Sequence, residues 1–306
     1  MVSFLSLQFT STQQCMGWIM IIYIFFGNIG NLCNCIVFLR KQLRSNSCSC
    51  YLLAGSISNI IVLSFLVSTN IFAIERFDPT NNSLIYCKIR AYFGHIVINL
   101  SRTLIVLACF DRACISSSHV SIRNIGKVRV ALRIIFFSII CWILFSVHAL
   151  IWNTIANVAP PLLMIAFSWT TLRNIRLAHR RVQPTLTFSG MRPRDFQLTR
   201  MLVAEVVVYV LSSLPFTFYS FYSSVTMSIN KSSDRQSIEA FINFLSSIFV
   251  VYINPSSTFY VYYATSKTFR SEFKAAVKNI WQRIFRRDQQ RQNPDEPART
   301  FIHRFL

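Results

Sequence analysis

Long stretches without a charged residue dominate this chain of 306 residues. Residues 17–39, 49–74 and 241–264 contain no Asp, Glu, Lys or Arg, although 14% of the whole chain is charged. A soluble helix needs polar residues on its outer face, whereas about 20 consecutive apolar residues can cross the roughly 30 Å hydrocarbon core of a membrane. The pattern therefore predicts membrane-spanning helices and excludes an ordinary soluble fold.

The fold class we predict is an all-α membrane protein, a seven-transmembrane helix bundle followed by an amphipathic surface helix. The apolar run of residues 131–172 has basic segments on both sides, so it must cross the membrane twice. The chain then divides into an outer N-terminus, a bundle, a surface helix with apolar and basic faces, and a disordered polar tail. These segments are residues 1–16, 17–264, 265–287 and 288–306, and the spans are residues 17–39, 49–74, 89–112, 130–151, 157–174, 196–222 and 241–264.

The basic residues predict the orientation. Most of the 31 lysines and arginines fall in residues 40–48, 112–133, 173–200 and 267–306. Because basic loops face the cytoplasm, we expect a multi-pass plasma-membrane protein with its N-terminus outside and its C-terminus inside. The net charge of +20 then favours anionic lipids of the inner leaflet as partners, and nucleic acid is not expected. Two candidate glycosylation sites fall in the expected outer loops: Asn81 and Asn230.

The third predicted span ends on an adjacent acid and base, Asp111-Arg112. Other landmarks follow in order: Cys87 at the start of the third span, Trp142 in the fourth, Pro160-Pro161 in the fifth and Pro215 in the sixth. In this order and register the chain resembles the rhodopsin-like (class A) G-protein-coupled receptors. The stretch SSTFYVYYATSKTFR, residues 256–270, is most similar to invertebrate neuropeptide receptors of the FMRFamide-receptor type.

The resemblance implies a receptor that passes an extracellular peptide signal to a cytoplasmic heterotrimeric G protein. It implies that Asp111 and Asp195 hold Arg112 in the resting state, since a buried charge must be paired. Opening of the sixth span would free Arg112 for the G protein, and the three prolines would kink their helices. No residues cluster in a catalytic or metal-binding pattern, so we expect neither enzymatic activity nor a metal or cofactor.

Polar residues inside the spans form a second group of candidates. Asn59 stands where the family has an aspartate, and with Ser101 and Asn254 it predicts a polar cluster that lacks the acid needed to bind sodium. Tyr262 matches the tyrosine of the family's seventh-span motif, although the Asn and Pro of that motif are replaced here. Asn31 accompanies Gly30 in the first span.

Arg102 and Glu205 are charges within predicted spans. They lie at the same predicted depth, about 15 Å outward of Arg112 and Asp195 respectively. Lone charges at that depth cost several kcal/mol. One hypothesis is a buried ion pair that tunes switching; the alternative is that each charge pairs with water or backbone.

The segment between Trp142 and Pro160 is much shorter than the resemblance requires. The family's outer loop, which carries the cysteine that bonds to the position of Cys87, is missing, and none of the nine cysteines follows Cys141. Cys15 is the remaining candidate for a disulfide with Cys87. The alternative interpretation is therefore a truncated, non-signalling or misannotated membrane protein of the receptor fold.

Overall fold

The computed structural model describes residues 4–74, 83–117, 120–123, 125–149, 193–226 and 229–292, with the single residues 166, 169 and 173. Over these ranges the chain is almost entirely helical and has no strand. The helices are α1 (Phe4–Phe38), α2 (Lys41–Arg44), α3 (Ser47–Ile61), α4 (Ser68–Ile74), α5 (Leu84–Ile115), α6 (Val120–Arg123), α7 (Val128–Ala149), α8 (Pro193–Val225), α9 (Ser233–Asn243), α10 (Ile253–Thr265) and α11 (Lys267–Gln292). A π-helical turn, Val62–Val67, joins α3 to α4, and the turns Phe244–Phe249 and Val250–Tyr252 join α9 to α10.

Six stretches of the described chain are long and apolar enough to cross a membrane. They correspond to predicted spans one to four, six and seven, so the described part of the chain has the helical, apolar character that was predicted for a membrane protein. The fifth predicted span, residues 157–174, lies almost wholly outside the described residues, and the count of seven stays a prediction. The six stretches are Cys15–Phe38, Ser47–Phe72, Ile85–Ile115, Val128–Ser146, Asp195–Val225 and Ser233–Thr265.

Five helices close into a ring. α1 packs against α3 and α10, α3 packs against α5, and α8 packs against both α5 and α10. α7 lies outside this ring against α3 and α5, and it presents large apolar side chains outward, among them Phe136, Phe137 and Leu144. An apolar surface of this kind suits contact with lipid rather than water.

Two glycines allow α1 to approach α10 closely. A Cβ on Gly27 would lie 3.0 Å from the backbone of Ser256, and a Cβ on Gly30 would lie 2.9 Å from the Cβ of Phe259. Small residues bring membrane helices together because they let the backbones come into contact. Gly55 on α3 has no such neighbour within 4 Å, so its lack of a side chain is not required for packing.

Buried apolar side chains form one cluster toward each end of the ring. The first includes Phe38, Tyr51, Leu104, Met201 and Phe269, and the second includes Met20, Leu63, Val97, Phe244 and Tyr252. The first cluster lies where α5 ends and the second where α5 begins. We call these the Arg112 end and the Cys87 end.

α11 extends the chain at the Arg112 end. Phe269 is buried in the first cluster, and an ion pair of 2.6 Å joins Arg40, which precedes α2, to Glu272. Residues 288–292, which the sequence assigns to the disordered tail, belong to this helix. Other apolar side chains of α11 are exposed: Val277, Ile280, Trp281 and Phe285.

Candidate functional site

A fully buried arginine lies at the Arg112 end. Arg112 is 0% exposed although it belongs to the last turn of α5. Its Nε and Nη2 donate to Oδ2 of Asp111 at 3.1 and 2.5 Å, and its Nη1 donates to Oδ1 of Asp195 at 2.9 Å. A buried charge that is left without any partner usually costs about 3–5 kcal/mol, and here two carboxylates share the compensation of Arg112. The two carboxylates therefore fix the position of the guanidinium group.

Asp195 reaches Arg112 from the first turn of α8. A carboxylate is favourable there because the first turn of a helix presents free N–H groups. The contact is an ion pair between α5 and α8, and it joins helices that are far apart in the sequence. The structure thus brings together the three residues that the sequence singled out as a switch.

Asn46 completes this group and was missed by the sequence reasoning. It is the N-cap of α3, and its Oδ1 accepts from the N–H of Cys48 and from Nη2 of Arg112, both at 3.0 Å. Its Nδ2 donates to Oδ1 of Asp195 at 2.7 Å. Asparagine is a preferred N-cap, so its place before the apolar run of α3 was the available signal. We call Asn46, Asp111, Arg112 and Asp195 the arginine clamp; it joins α3, α5 and α8.

A second polar link joins α8 to α10 deeper in the ring. The hydroxyl of Tyr262 donates to Oε2 of Glu205, and these side chains are 1% and 2% exposed. The Tyr262 ring also packs edge-on against Phe38 and Phe269. Because Glu205 lies about 15 Å along α8 from Asp195, α8 is tied to its neighbours at two heights.

Arg102 and Glu205 have different partners in the structure, which corrects the hypothesis of an ion pair between them. Glu205 is bound by Tyr262, whereas the guanidinium carbon of Arg102 lies 6.0 Å from the ring centroid of Tyr209. Tyr209 lies one turn further along α8 than Glu205. Equal depth on two helices therefore does not bring two charges into contact, because the direction of each side chain around its helix also matters.

Amide and hydroxyl side chains connect α1, α3, α5 and α10 inside the ring. Asn31 donates to a backbone oxygen of α10 at 2.8 Å, and Ser101 donates to Oδ1 of Asn59 at 2.7 Å. The amide of Asn59 donates to Oγ1 of Thr258 at 3.4 Å, a contact that the sequence did not predict. Asn254 is buried and lines a small cavity beside this group. These bonds satisfy polar groups that would otherwise be costly in a membrane interior.

The Cys87 end holds a charged group that the sequence reasoning also missed. Nη2 of Arg90 donates to Oδ1 of Asn70 at 2.6 Å, and the Asn70 amide donates to the hydroxyl of Tyr252 at 3.2 Å. These contacts join α4 and α5 to the turn before α10. No local sequence pattern marks them, because each residue comes from a different helix.

A salt-bridge network closes the connection between α8 and α9 at the same end. Glu239 binds Nζ of Lys231 at 2.5 Å and Nε of Arg235 at 3.0 Å, and it accepts from the Tyr222 hydroxyl at 2.8 Å. The neighbouring Asn230 is exposed, as a glycosylation acceptor must be.

The remaining candidates have simpler outcomes. Cys15 and Cys87 are both free and exposed, so the candidate disulfide between them is not formed in this structure. Pro215 lies inside α8. Three candidates lie outside the described residues: Asn81, Pro160 and Pro161.

The geometry of the ring and the clamp is the basis for assigning a function. Neither a scan against protein-family models nor a search of curated proteins finds a match for this chain. The class that the structure itself supports is a protein that is almost entirely helical over its described residues, with helices long and apolar enough to cross a membrane.

Proposed function

We propose that this chain is a rhodopsin-like G-protein-coupled receptor of the plasma membrane. It transmits an extracellular signal, by resemblance a neuropeptide, to a cytoplasmic heterotrimeric G protein. The observation that carries this proposal is the arginine clamp, in which a buried Arg112 at the end of α5 is held by a carboxylate at the start of α8. The order of the helices around the ring supports it, because α5 contacts α3 and α8, and α10 closes the ring against α1.

The clamp acts as a closed switch in this proposal. Arg112 has no exposed surface while Asp195 and Asn46 bind it, so a partner protein cannot reach the guanidinium group. Movement of the start of α8 away from α5 breaks the bond to Asp195 and uncovers Arg112. A ligand that binds at the Cys87 end opens the switch only if it stabilises the state in which α8 has moved away from α5 more than it stabilises the closed state.

The predicted surroundings of the switch follow from the same proposal. The Arg112 end faces the cytoplasm, and the exposed apolar side chains of α11 lie in the inner leaflet with its basic residues near anionic headgroups. A fifth span, residues 157–174, completes seven crossings. The Cys87 end then faces the outside, with Asn230 available for glycosylation.

The test compares ligand-independent G-protein activation in cells at matched surface expression. Asp195→Ala removes a charge-assisted bond worth about 1.5–3 kcal/mol, and a bias of about 2 kcal/mol shifts a two-state equilibrium roughly thirtyfold. We expect Asp195→Ala to raise basal activation and Arg112→Ala to abolish it. Asp234→Ala is the matched control, since Asp234 is an exposed acid in the first turn of α9. Basal activation that is equal in Asp195→Ala, Asp234→Ala and the unmodified chain would refute the proposal.

A membrane protein of the same fold that does not signal is the second candidate. The free, exposed Cys87 favours it, because the resemblance implies a disulfide at this position. In that case Asp195→Ala loosens the clamp without any change in G-protein activation. The experiment above therefore separates the two candidates.

A further inference from the structure

The second half of α11 extends beyond the ring. Its first part, residues 267–276, is held against the ring, since Phe269 and Ala276 are buried and Glu272 forms the ion pair with Arg40. In residues 277–285, by contrast, every side chain that the structure describes is exposed. We call residues 277–292 the α11 extension, and they continue the helix for about 24 Å past its docked part.

The α11 extension carries a short apolar face. Ile280, Trp281 and Phe285 follow Val277 by three, four and eight residues, so the four side chains lie along one side of the helix. Trp281 is 63% exposed, and its ring packs against that of Phe285 with centroids 4.8 Å apart. The two rings therefore form one bulky aromatic group. Contiguous apolar side chains that are exposed in this way mark a surface for a partner.

The charge of the α11 extension has one dominant sign. Its residues include five lysines and arginines and one aspartate, which gives a net charge of +4. An acidic surface attracts such a segment and speeds its association. The partner must therefore offer an apolar surface with acidic edges.

An anionic bilayer and an acidic protein both meet these conditions, and the length of the apolar face favours the protein. The face runs for only about 12 Å, from Val277 to Phe285. Lys274 is exposed one turn before it, and the seven residues after it, 286–292, include no apolar residue. A helix on a bilayer gains from an apolar face along its whole length, whereas a protein groove has two ends. Basic residues beyond both ends of a short apolar face fit a groove with acidic rims.

We propose that the α11 extension binds an acidic calcium-sensor protein of the EF-hand type in its calcium-loaded form. Calcium opens the helix pairs of such a sensor and exposes a methionine-rich groove. Basic amphipathic helices bind in grooves of this kind through apolar anchors three, four and seven residues apart. The pair of Trp281 and Phe285 fills the groove, and the basic residues contact its acidic rims.

Binding of the sensor lifts the α11 extension from the bilayer, which covers the apolar face when calcium is low. The cytoplasmic position of α11 rests on the proposed function, whereas the binding itself needs no coupling to a G protein.

The test is binding of calmodulin, used as the probe sensor, to the purified full-length chain in lipid nanodiscs. Nanodiscs of phosphatidylcholine alone and of phosphatidylcholine with phosphatidylserine provide a neutral and an anionic bilayer. We expect saturable binding to both in the presence of calcium and none when calcium is chelated. Binding to the anionic nanodiscs should be weaker, because phosphatidylserine competes for the basic residues.

Matched variants determine whether calmodulin binds to the α11 extension. Trp281→Ala should raise the Kd by about tenfold or more, because a tryptophan at the centre of an interface is often a hot spot. Trp18→Ala is the control, since Trp18 is a comparably exposed tryptophan on α1, and it should leave the Kd unchanged. Lys278→Glu should also weaken binding, whereas Lys41→Glu, at an exposed position of α2, should not. Because the four side chains are exposed, none of these changes should alter the melting midpoint.

Two results would overturn the proposal. One is the absence of calcium-dependent binding to both kinds of nanodisc, which would leave the bilayer as the cover of the apolar face. The other is a Trp281→Ala chain that binds calmodulin as tightly as the unmodified chain, which would place the probe on another segment. Neither result changes the expected effect of Asp195→Ala on G-protein activation, so a failure here is distinguishable from a failure of the proposed function.

Discussion

Replacing Tyr262 by phenylalanine should destabilise the bundle by more than the same change at an exposed tyrosine. The hydroxyl of Tyr262 is the hydrogen-bond donor to the buried carboxyl group of Glu205, and both side chains are at most 2% exposed. The variant keeps the ring that packs against Phe38 and Phe269, so it removes the hydrogen bond and little else.

The size of the effect follows from the burial of the pair. A buried polar group that loses its partner costs about 1–3 kcal/mol, whereas hydrogen bonds between membrane helices average about 0.6 kcal/mol and reach about 1.7 kcal/mol. The Tyr262–Glu205 bond belongs to the upper part of the second range, because its acceptor is a carboxyl group without bulk water. We therefore expect Tyr262→Phe to lower the free energy of unfolding by about 1.5 kcal/mol.

The buried cysteines provide the assay. Cys48, Cys109 and Cys114 are buried and form no disulfide within the described part of the chain, so a thiol-reactive dye labels them as the bundle opens on heating. Tyr260→Phe is the matched control, since its hydroxyl donates to the Phe26 carbonyl at 3.3 Å from an exposed position. We expect a clear drop in the melting midpoint for Tyr262→Phe and almost none for Tyr260→Phe.

A second variant tests whether the cost comes from the stranded carboxyl group. Glu205→Leu combined with Tyr262→Phe replaces both partners by apolar groups, which is often nearly neutral. The double variant should therefore be more stable than Tyr262→Phe alone. Equal melting midpoints for Tyr262→Phe and Tyr260→Phe would refute this explanation. So would a Glu205→Leu/Tyr262→Phe variant whose loss of stability equals the sum of the losses of the two single variants.

Three further changes give independent checks. Asn46→Ala removes a helix cap and two bonds of the arginine clamp, so it should lower the free energy of unfolding by about 1–2 kcal/mol. The same melting assay measures this loss, and a midpoint equal to that of the unmodified chain would contradict the clamp geometry. Gly30→Ala should destabilise the bundle, because its Cβ would lie 2.9 Å from the Cβ of Phe259. Gly55→Ala has no atom within 4 Å of its new Cβ, so it should leave the stability unchanged or raise it by up to about 1 kcal/mol. A Gly30→Ala variant more stable than Gly55→Ala would contradict the packing of α1 on α10. A membrane-impermeant maleimide should label Cys87 in intact cells that express the Cys15→Ser variant, because Cys87 is free and exposed; labelling only after permeabilisation would place the Cys87 end inside.

The clamp and the membrane class were predictable for the same physical reason. Charges are costly within apolar helices and must find partners, so Asp111 and Arg112 stand out at the end of an apolar run. The cost of an unpaired charge predicts a partner for Arg112, and the resemblance implies that Asp111 and Asp195 are its partners; the described chain contains these ion pairs. The apolar stretches likewise predict the helices, since their length and lack of charge leave few alternatives.

The contacts that were missed depend on how the helices are rotated and packed. Asn46 reads locally as a helix cap, and its bonds to Arg112 and Asp195 arise only when α3, α5 and α8 meet. Glu205 and Arg102 lie at the same predicted depth, yet the rotation of each helix about its axis lets Glu205 bind Tyr262 and places Arg102 against Tyr209. The depth of a residue along a helix can be read from the sequence. Which side chains face each other across the bundle depends on how all the helices of the ring pack together.

The control of α8 by the clamp is tested most directly by measuring the distance between the start of α8 and α2. Spin labels at Lys41 and Arg200, which are both exposed, report this distance in the purified protein after its reactive native cysteines are replaced. Asp195→Ala should produce a second, longer distance, because about 2 kcal/mol of lost stabilisation raises the open population roughly thirtyfold. Asp234→Ala should leave the distance distribution unchanged. If Asp195→Ala gives the same distribution as the unmodified chain, the clamp does not hold α8 closed.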